Sequence, residues 1–173
     1  MIKDLKKSVS HIKQSLRVRD IMSREVVSLT KDRSVYDAVS IMADKSISTI
    51  VIEENKKPLG VITERDLVKK ILAKQKELKK LKLSDIMTEH PKEIRPDVPI
   101  LAAGNMMKTD KVRKLVVVDE KGEVIGLLSQ TDIINSLNRI YESYRSILSN
   151  PLVCYVLIGV IIILVILSII FRL

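Results

Sequence analysis

The feature that most constrains the fold of this chain is a pattern that the sequence contains twice. The segment VRDIM at residues 18–22 returns as LSDIM at residues 83–87, and GVITERDL at residues 60–67 returns as GLLSQTDI at residues 126–133. The offset is 65 residues for the first pair and 66 for the second. Such self-similarity predicts two copies of one supersecondary unit, each of which needs the other to bury an apolar face.

Each copy alternates short apolar strands with amphipathic helices. Strands are predicted at residues 26–29, 50–52, 59–62, 93–94, 115–118 and 124–128. Helices are predicted to begin near Ser34, Thr63, Pro99 and Ser129. The order is therefore strand, helix, strand, strand, helix, repeated once, which predicts an α/β (α+β) fold.

The C-terminal end differs from the rest of the chain. Residues 152–171 contain no charged residue, and about twenty residues at roughly 1.5 Å each make a helix as long as a bilayer core is thick, about 30 Å. A buried helix of that length would normally carry a polar face. We therefore expect a single-pass C-terminal anchor in membrane lipid. Basic residues before it, including Arg139 and Arg145, favour a soluble domain that faces the cytoplasm.

Two further segments flank the repeats. An apolar stripe through Ile2, Leu5, Val9, Ile12 and Leu16 predicts an amphipathic helix, which would pack on the domain, on a second subunit or on lipid. A lysine-rich connector would be either a solvated helix face or a surface for anionic lipid or an anionic partner. The predicted organisation is an amphipathic helix at 1–17, repeats at 18–73 and 83–138, a basic helical connector at 74–82, a juxtamembrane helix at 139–150 and a transmembrane anchor at 151–173.

Composition argues against several classes of function. The chain carries a formal net charge of +9, but it has no tryptophan, one phenylalanine and four tyrosines, so it is poor in stacking platforms for nucleic acid. Its two histidines, His11 and His90, form no metal-binding motif, and its one cysteine, Cys154, lies in the apolar run. We therefore expect no catalytic site, no metal site and no intrachain disulfide.

Both copies end in a hydroxyl residue, two spacers and an aspartate at a strand-to-helix turn: Thr63 with Asp66, and Ser129 with Asp132. The simplest interpretation is a capping box, and Ser34 has the same spacing without implying a ligand. However, a helix N-terminus attracts phosphate, and a carboxylate suits the hydroxyls of a ribose. Recurrence at the same place in both copies favours a nucleotide site.

These residues give the chain a resemblance to a tandem pair of CBS domains, known as a Bateman module, over residues 18–137. The matching pieces are the two Asp-Ile-Met segments, Val27-Ser28-Leu29 with Ala38 downstream, the apolar hairpins, and the Gly-x-x-Thr/Ser-x-x-Asp endings. The resemblance implies two βαββα units related by a pseudo-twofold axis, with two clefts between them, and a homodimer. It also implies adenosine ligands: AMP, ADP or ATP, with S-adenosylmethionine or NAD as alternatives.

The resemblance further implies which residues contact the ligand. The ribose and phosphate contacts would be Asp66, Thr63, Asp132, Ser129, Ser28, Arg65, Arg113 and Lys114. The two copies differ, because Glu93 stands where the first copy has Ser28, Ser48 and Thr49 stand where the second has Arg113 and Lys114, and Thr131 stands where the first has Arg65. One good site and one doubtful site are expected, and the sequence leaves open which cleft is which.

The leading hypothesis is a membrane-tethered sensor that binds an adenosine ligand between the repeats and acts on a separate protein. One alternative is a ligand-free adaptor that dimerises and clusters a membrane complex. Another is a Mg²⁺ sensor, against which the basic net charge argues.

Overall fold

A computed structural model describes residues 16–72, 78–148 and 151–170. The first repeat contains α1 (Val18–Ile21), β1 (Ser28–Leu29), α2 (Val35–Lys45), β2 (Thr49–Glu54), β3 (Lys57–Thr63) and α3 (Glu64–Lys70). Short 3-10 helices lie at Leu78–Lys80 and Leu83–Asp85. The second repeat contains β4 (Thr88–Glu89), β5 (Glu93–Ile94), α4 (Ile100–Thr109), β6 (Lys114–Val118), β7 (Val124–Ser129) and α5 (Gln130–Leu148), and it is followed by α6 (Pro151–Ile170).

The predicted order of strands and helices is confirmed in both repeats, and the fold is α+β with two sheets. The predicted juxtamembrane helix is the continuation of α5, which ends at Leu148. The helix predicted at residues 1–17 lies almost wholly outside the described residues. The predicted helical connector is described only from residue 78, and Leu78–Lys80 form a 3-10 helix there.

The two sheets have matching connectivity. In the first, β1 runs parallel to β2, β2 pairs antiparallel with β3, and β4 adds to the outer edge of β3. In the second, β5 runs parallel to β6, and β6 pairs antiparallel with β7. The β2–β3 hairpin turns at Asn55 and Lys56, which both have positive φ, so the polar turn is shorter than the sequence indicates.

Each repeat contributes its opening segment to the core of the other. Leu83 and Ile86 are buried with Val35 and Ile50 in the core beneath the first sheet. Val18 is buried with the core beneath the second sheet. Matched backbone bonds secure the exchange: Leu83 N donates to Arg33 O at 2.9 Å, and Val18 N donates to Val98 O at 2.9 Å. Each packed core therefore combines most of one sequence repeat with the opening segment of the other.

A third apolar cluster joins the two sheets face to face. Val51 on β2 is buried against Val116 and Val118 on β6, and flanking side chains from β3 and β7 complete the contact. This cluster places β2 and β6, and the residues that precede each strand, on either side of one interface.

The repeated glycines make room for the repeated methionines of the exchanged segments. A Cβ added to Gly60 would lie 2.8 Å from Met87 Sδ, and one added to Gly126 would lie 2.8 Å from Met22 Sδ and 3.0 Å from Ser23 O. These distances are shorter than a Cβ normally tolerates, so a side chain at either glycine would have to displace the opening segment that passes it.

We expect Gly126→Ala to destabilise the chain by roughly 1–3 kcal/mol, because its Cβ would press on the exchanged segment. Gly104→Ala is the matched control: Gly104 lies within α4 with open space around it, and removing a helical glycine should stabilise by about 0.5–1 kcal/mol. Urea unfolding of the full chain in detergent measures both. Equal effects of the two substitutions would contradict the close approach at Gly126.

The chain divides into two compact units, residues 1–133 and 134–173. In the second unit, large apolar side chains of α6 between Ile158 and Ile170 are 43–60% exposed. Among the residues described, no helix is both long and apolar enough to cross a membrane. The predicted transmembrane anchor is therefore not confirmed.

Candidate functional site

The larger of two clefts between the repeats has a volume of about 470 Å³. Thr63, Arg65 and Asp66 line it from the first repeat, while Arg113 and Lys114 line it from the second. These five residues are candidates from the sequence, and the fold brings them to one site. The strand-to-helix turn of one repeat faces the residues that precede the central strand of the other.

The Asp66 carboxylate is held by donors on both of its oxygens. Oδ2 accepts hydrogen bonds from Thr63 N at 3.0 Å and Thr63 Oγ1 at 2.6 Å. Oδ1 accepts from Thr88 Oγ1 at 3.3 Å and pairs with Lys70 Nζ at 3.3 Å. Lys70 Nζ also donates to Ile86 O at 2.7 Å. The aspartate is thus fixed in place by its own helix and by the exchanged segment of the second repeat.

The smaller cleft, of about 190 Å³, is built in the same way from the other halves. Ser129 and Asp132 line it from the second repeat, and residues 46–49 line it from the first. Asp132 Oδ2 accepts from Ser129 N at 2.8 Å and from Ser129 Oγ at 2.6 Å. Glu25 adds a second carboxylate to this cleft.

Both capping boxes are present, so the structural interpretation of the hydroxyl-x-x-Asp pattern is confirmed alongside its place in the clefts. Thr63 Oγ1 accepts from Asp66 N, and Ser129 Oγ accepts from Asp132 N. Ser34 differs, because its hydroxyl accepts from Asp37 N while the Asp37 carboxylate pairs with Arg33 at 3.3 Å. Reciprocal capping, in which the carboxylate also accepts from the hydroxyl residue, therefore occurs in the two pairs that line clefts and not in the Ser34–Asp37 pair.

The helix-end amides are largely occupied, contrary to the expectation that they would hold a phosphate. Thr63 N and Asp66 N serve the capping box, and Glu64 N donates to Ser48 O at 3.3 Å. At the second turn, Gln130 N donates to Arg113 O at 3.0 Å. Basic side chains are therefore the main donors left for an anion in the larger cleft.

Lys114 forms part of the wall between the clefts. Together with Ser48 and Thr49 it lines both of them. Its Nζ donates to Ser48 Oγ at 2.8 Å and also to Thr49 Oγ1. Burial lowers the pKa of Lys114, and the nearby carboxylates of Glu64 and Asp132 oppose this shift. A partly buried ammonium with hydroxyl rather than carboxylate partners is available to a ligand's negative charge.

The lowered pKa of Lys114 predicts a specific pH dependence of stability. Between the lowered pKa of Lys114 in the folded chain and its pKa near 10.5 in the unfolded chain, the unfolded state binds more protons than the native state. The contribution of Lys114 to the free energy of unfolding therefore rises with pH across this window. The free energy of unfolding of the wild type, minus that of Lys114→Met, should therefore increase between neutral pH and about pH 10. Urea unfolding of the full chain over this range provides the measurement. A difference that stays flat or falls would contradict a lowered pKa.

Two predicted positions lie elsewhere. Ser28 donates its hydroxyl to Glu53 Oε1 at 2.8 Å and lines neither of the two clefts described. Its counterpart Glu93 is exposed on β5 and is likewise absent from both linings. The expected contact of Ser28 with a ligand therefore stays a prediction that these two linings do not support.

The larger cleft contains residues that sequence reasoning missed: Thr88, His90, Lys92 and Lys111. They fall in the link after the second opening segment and in the loop before β6. The one available signal was the 65-residue offset, which aligns them with residues 23–27 and 46 of the smaller cleft. Within the described part of the chain, no group of three or more histidine, cysteine or acidic side chains could hold a metal ion.

Comparison with known proteins identifies this architecture. The profile of the CBS domain matches residues 18–73 and again residues 83–139. The chain belongs to the CBS domain family. One curated relative is "CBS domain-containing protein CBSX3, mitochondrial" of Arabidopsis thaliana, 34% identical over 113 residues, which are 62% of this chain and 54% of that protein. The chain thus spans about half the length of this CBS relative.

Solved CBS pairs share the fold closely. The CBS domain pair of protein MJ0100, in complex with 5'-methylthioadenosine and S-adenosyl-L-methionine, superposes with a TM-score of 0.65 at 26% identity over 71% of this chain and 96% of that one. A CBS domain protein of Pyrobaculum aerophilum complexed with AMP gives a TM-score of 0.63 at 25% identity over 68% and 89%. The repeats of this chain therefore form a CBS pair.

Proposed function

We propose that this CBS pair is a regulatory module that binds an adenine nucleotide of the AMP, ADP or ATP type in its larger cleft and acts on a separate protein. The observation that carries the proposal is the meeting of Thr63 and Asp66 from one repeat with Arg113 and Lys114 from the other. A fixed carboxylate suits the vicinal hydroxyls of a ribose, and cationic side chains suit a phosphate.

Two observations support an adenosine ligand. Solved CBS pairs of the same fold contain AMP, or 5'-methylthioadenosine and S-adenosyl-L-methionine. The larger cleft also offers the apolar side chains Val61, Val112 and Val116, against which a purine base can pack. S-adenosylmethionine and NAD remain alternative ligands for the test below.

The position of the cleft suggests how binding would regulate a partner. Residues of both repeats line it, and Lys70 ties Asp66 to the exchanged segment. If the two repeats can adopt two relative arrangements, a ligand that contacts both repeats would favour the one to which it binds more tightly. The size of this shift equals the difference between its binding free energies for the two arrangements.

The test is a thermal-shift series on the full chain in detergent with AMP, ADP, ATP, S-adenosylmethionine, NAD and Mg²⁺. At one hundred times Kd, a bound nucleotide should add about 2.7 kcal/mol of stability. A response to Mg²⁺ alone would favour the cation sensor. If no compound raises the melting temperature, the sensor proposal is wrong and a ligand-free adaptor is favoured.

We further propose that α6 and its flanking residues attach the module to a membrane, with the CBS pair on the cytoplasmic side. The support is the uncharged run at residues 152–171, the exposed apolar side chains from Ile158 to Ile170, and the basic Arg139 and Arg145 before the run. The full chain should stay with the membrane fraction in high salt and leave it in detergent. Release by salt alone would rule out this attachment.

The homodimer also stays a proposal. It rests on the family resemblance and on the exposure of Leu101 (47%) on the outer face of α4. Light scattering of the full chain in detergent, corrected for the detergent mass, would give twice the mass of the chain for a dimer. A mass of one chain would contradict it.

A further inference from the structure

The two clefts are built from equivalent positions but carry opposite charge. The larger one is lined by Arg65, Lys92, Lys111, Arg113 and Lys114 against Glu64 and Asp66. The smaller one is lined by Glu25 and Asp132, and Lys114 is the single cation among its described residues. We infer that the clefts take different ligands: the larger a phosphorylated adenosine, the smaller an adenosine-type nucleoside without phosphate. This inference rests on the proposed function and deepens it.

The charge difference is systematic along the repeat offset. Each basic side chain that lines the larger cleft is matched, at the equivalent position of the other repeat, by a neutral or acidic one. The matched pairs are Lys111 with Ser46, Arg113 with Ser48, Lys114 with Thr49, Lys92 with Val27, His90 with Glu25, and Arg65 with Thr131. Because the backbone framework is shared, these side chains decide what each cleft can hold.

The two aspartates differ in the same sense. Asp66 is paired with Lys70 at 3.3 Å, whereas the position equivalent to Lys70 is the buried Ser136. Within the residues described, the hydrogen bonds to the Asp132 carboxylate come from Ser129 alone. The first turn and a half of α5 therefore carries no basic residue that could pair with Asp132. The Asp132 carboxylate would repel a phosphate.

Lys114 does not reverse this balance. It already donates to Ser48 and Thr49, and it faces Glu64 in the larger cleft as well as Asp132 in the smaller one. A phosphate in the smaller cleft would lose water and meet two carboxylates with one shared cation, which is a net cost. A nucleoside can still offer its ribose hydroxyls to Asp132 and its base to Val26, Val27 and Ile47, without that cost.

The test titrates the full chain in detergent by calorimetry with AMP and with adenosine. Adenosine should still bind a chain saturated with AMP, because the two occupy different clefts. In the double variant Lys111→Ser/Arg113→Ser, which installs the residues of the smaller cleft, AMP affinity should fall roughly 10- to 100-fold while adenosine affinity stays within about twofold. Lys108→Ser, exposed on α4 and outside both clefts, is the control for a lost surface charge.

The outcomes separate this inference from the proposed function. If adenosine and AMP compete for one site in the wild type, or if the double variant weakens both equally, the charge division between clefts is wrong while nucleotide binding stands. If neither compound binds, the inference is wrong, and the thermal-shift series with ADP and ATP decides the proposed function separately. The competition measurement uses only the wild type. The inference can therefore still be refuted if the double variant folds poorly.

Discussion

Asp66→Asn is expected to weaken AMP binding to the full chain roughly 10- to 100-fold. The substitution removes the negative charge that would accept ribose hydroxyls, while a side-chain oxygen remains for Thr63. The carboxylate is held by Thr63, Thr88 and Lys70, so its position does not depend on the ligand. Charge-assisted hydrogen bonds contribute about 1.5–3 kcal/mol each, which sets the expected loss. Calorimetric titration with AMP gives the affinity.

Asp37→Asn is the matched control. Asp37 holds the same position in its helix relative to Ser34, but its carboxylate pairs with Arg33 and lines neither cleft described. It should bind AMP as the wild type does. Should Asp66→Asn and Asp37→Asn both retain wild-type affinity, the ribose contact assigned to Asp66 is wrong.

Leu83→Ala is expected to destabilise the chain by about 2–5 kcal/mol. Leu83 is fully buried in the core of the first repeat, although it belongs to the opening of the second. Truncation would leave a cavity among Val35, Ile50 and Ile62. Urea unfolding of the full chain in detergent provides the measurement, and Leu72→Ala is the control, because Leu72 is 66% exposed and its loss should matter little.

The site of the damage distinguishes an exchanged core from two independent repeats. With Leu83→Ala, hydrogen exchange should accelerate first in β2 of the first repeat, because the lost contacts are there. Faster exchange confined to β6 and β7 would mean that each repeat keeps its own opening segment, against the packing described here.

Local sequence patterns predicted the elements well, because each depends on neighbours along the chain. The strands around Val51 and Val116 follow from short continuous apolar runs, and the Ser34 cap of α2 follows from hydroxyl placement. The Thr63–Asp66 and Ser129–Asp132 pairs were identified for the same reason, since their hydrogen bonds are closed within four residues.

The remaining features depend on contacts between distant segments, which spacing does not encode. The exchange of Val18 and Leu83 follows from which sheet each segment reaches. Thr88 enters the site because β4 pairs with β3, whereas the hydroxyl of Ser28 donates to Glu53 outside the two linings. Lys114 was predicted as a phosphate contact of one cleft, yet its place in the wall of both depends on the packing of β2 against β6.

A structure of the full chain with AMP bound tests the central claim most directly. The account predicts one AMP in the larger cleft, with its ribose hydroxyls on Asp66 and its phosphate among Lys111, Arg113 and Lys114. An AMP whose phosphate lies in the smaller cleft beside Glu25 and Asp132, or a larger cleft that stays empty at saturating AMP, would contradict it.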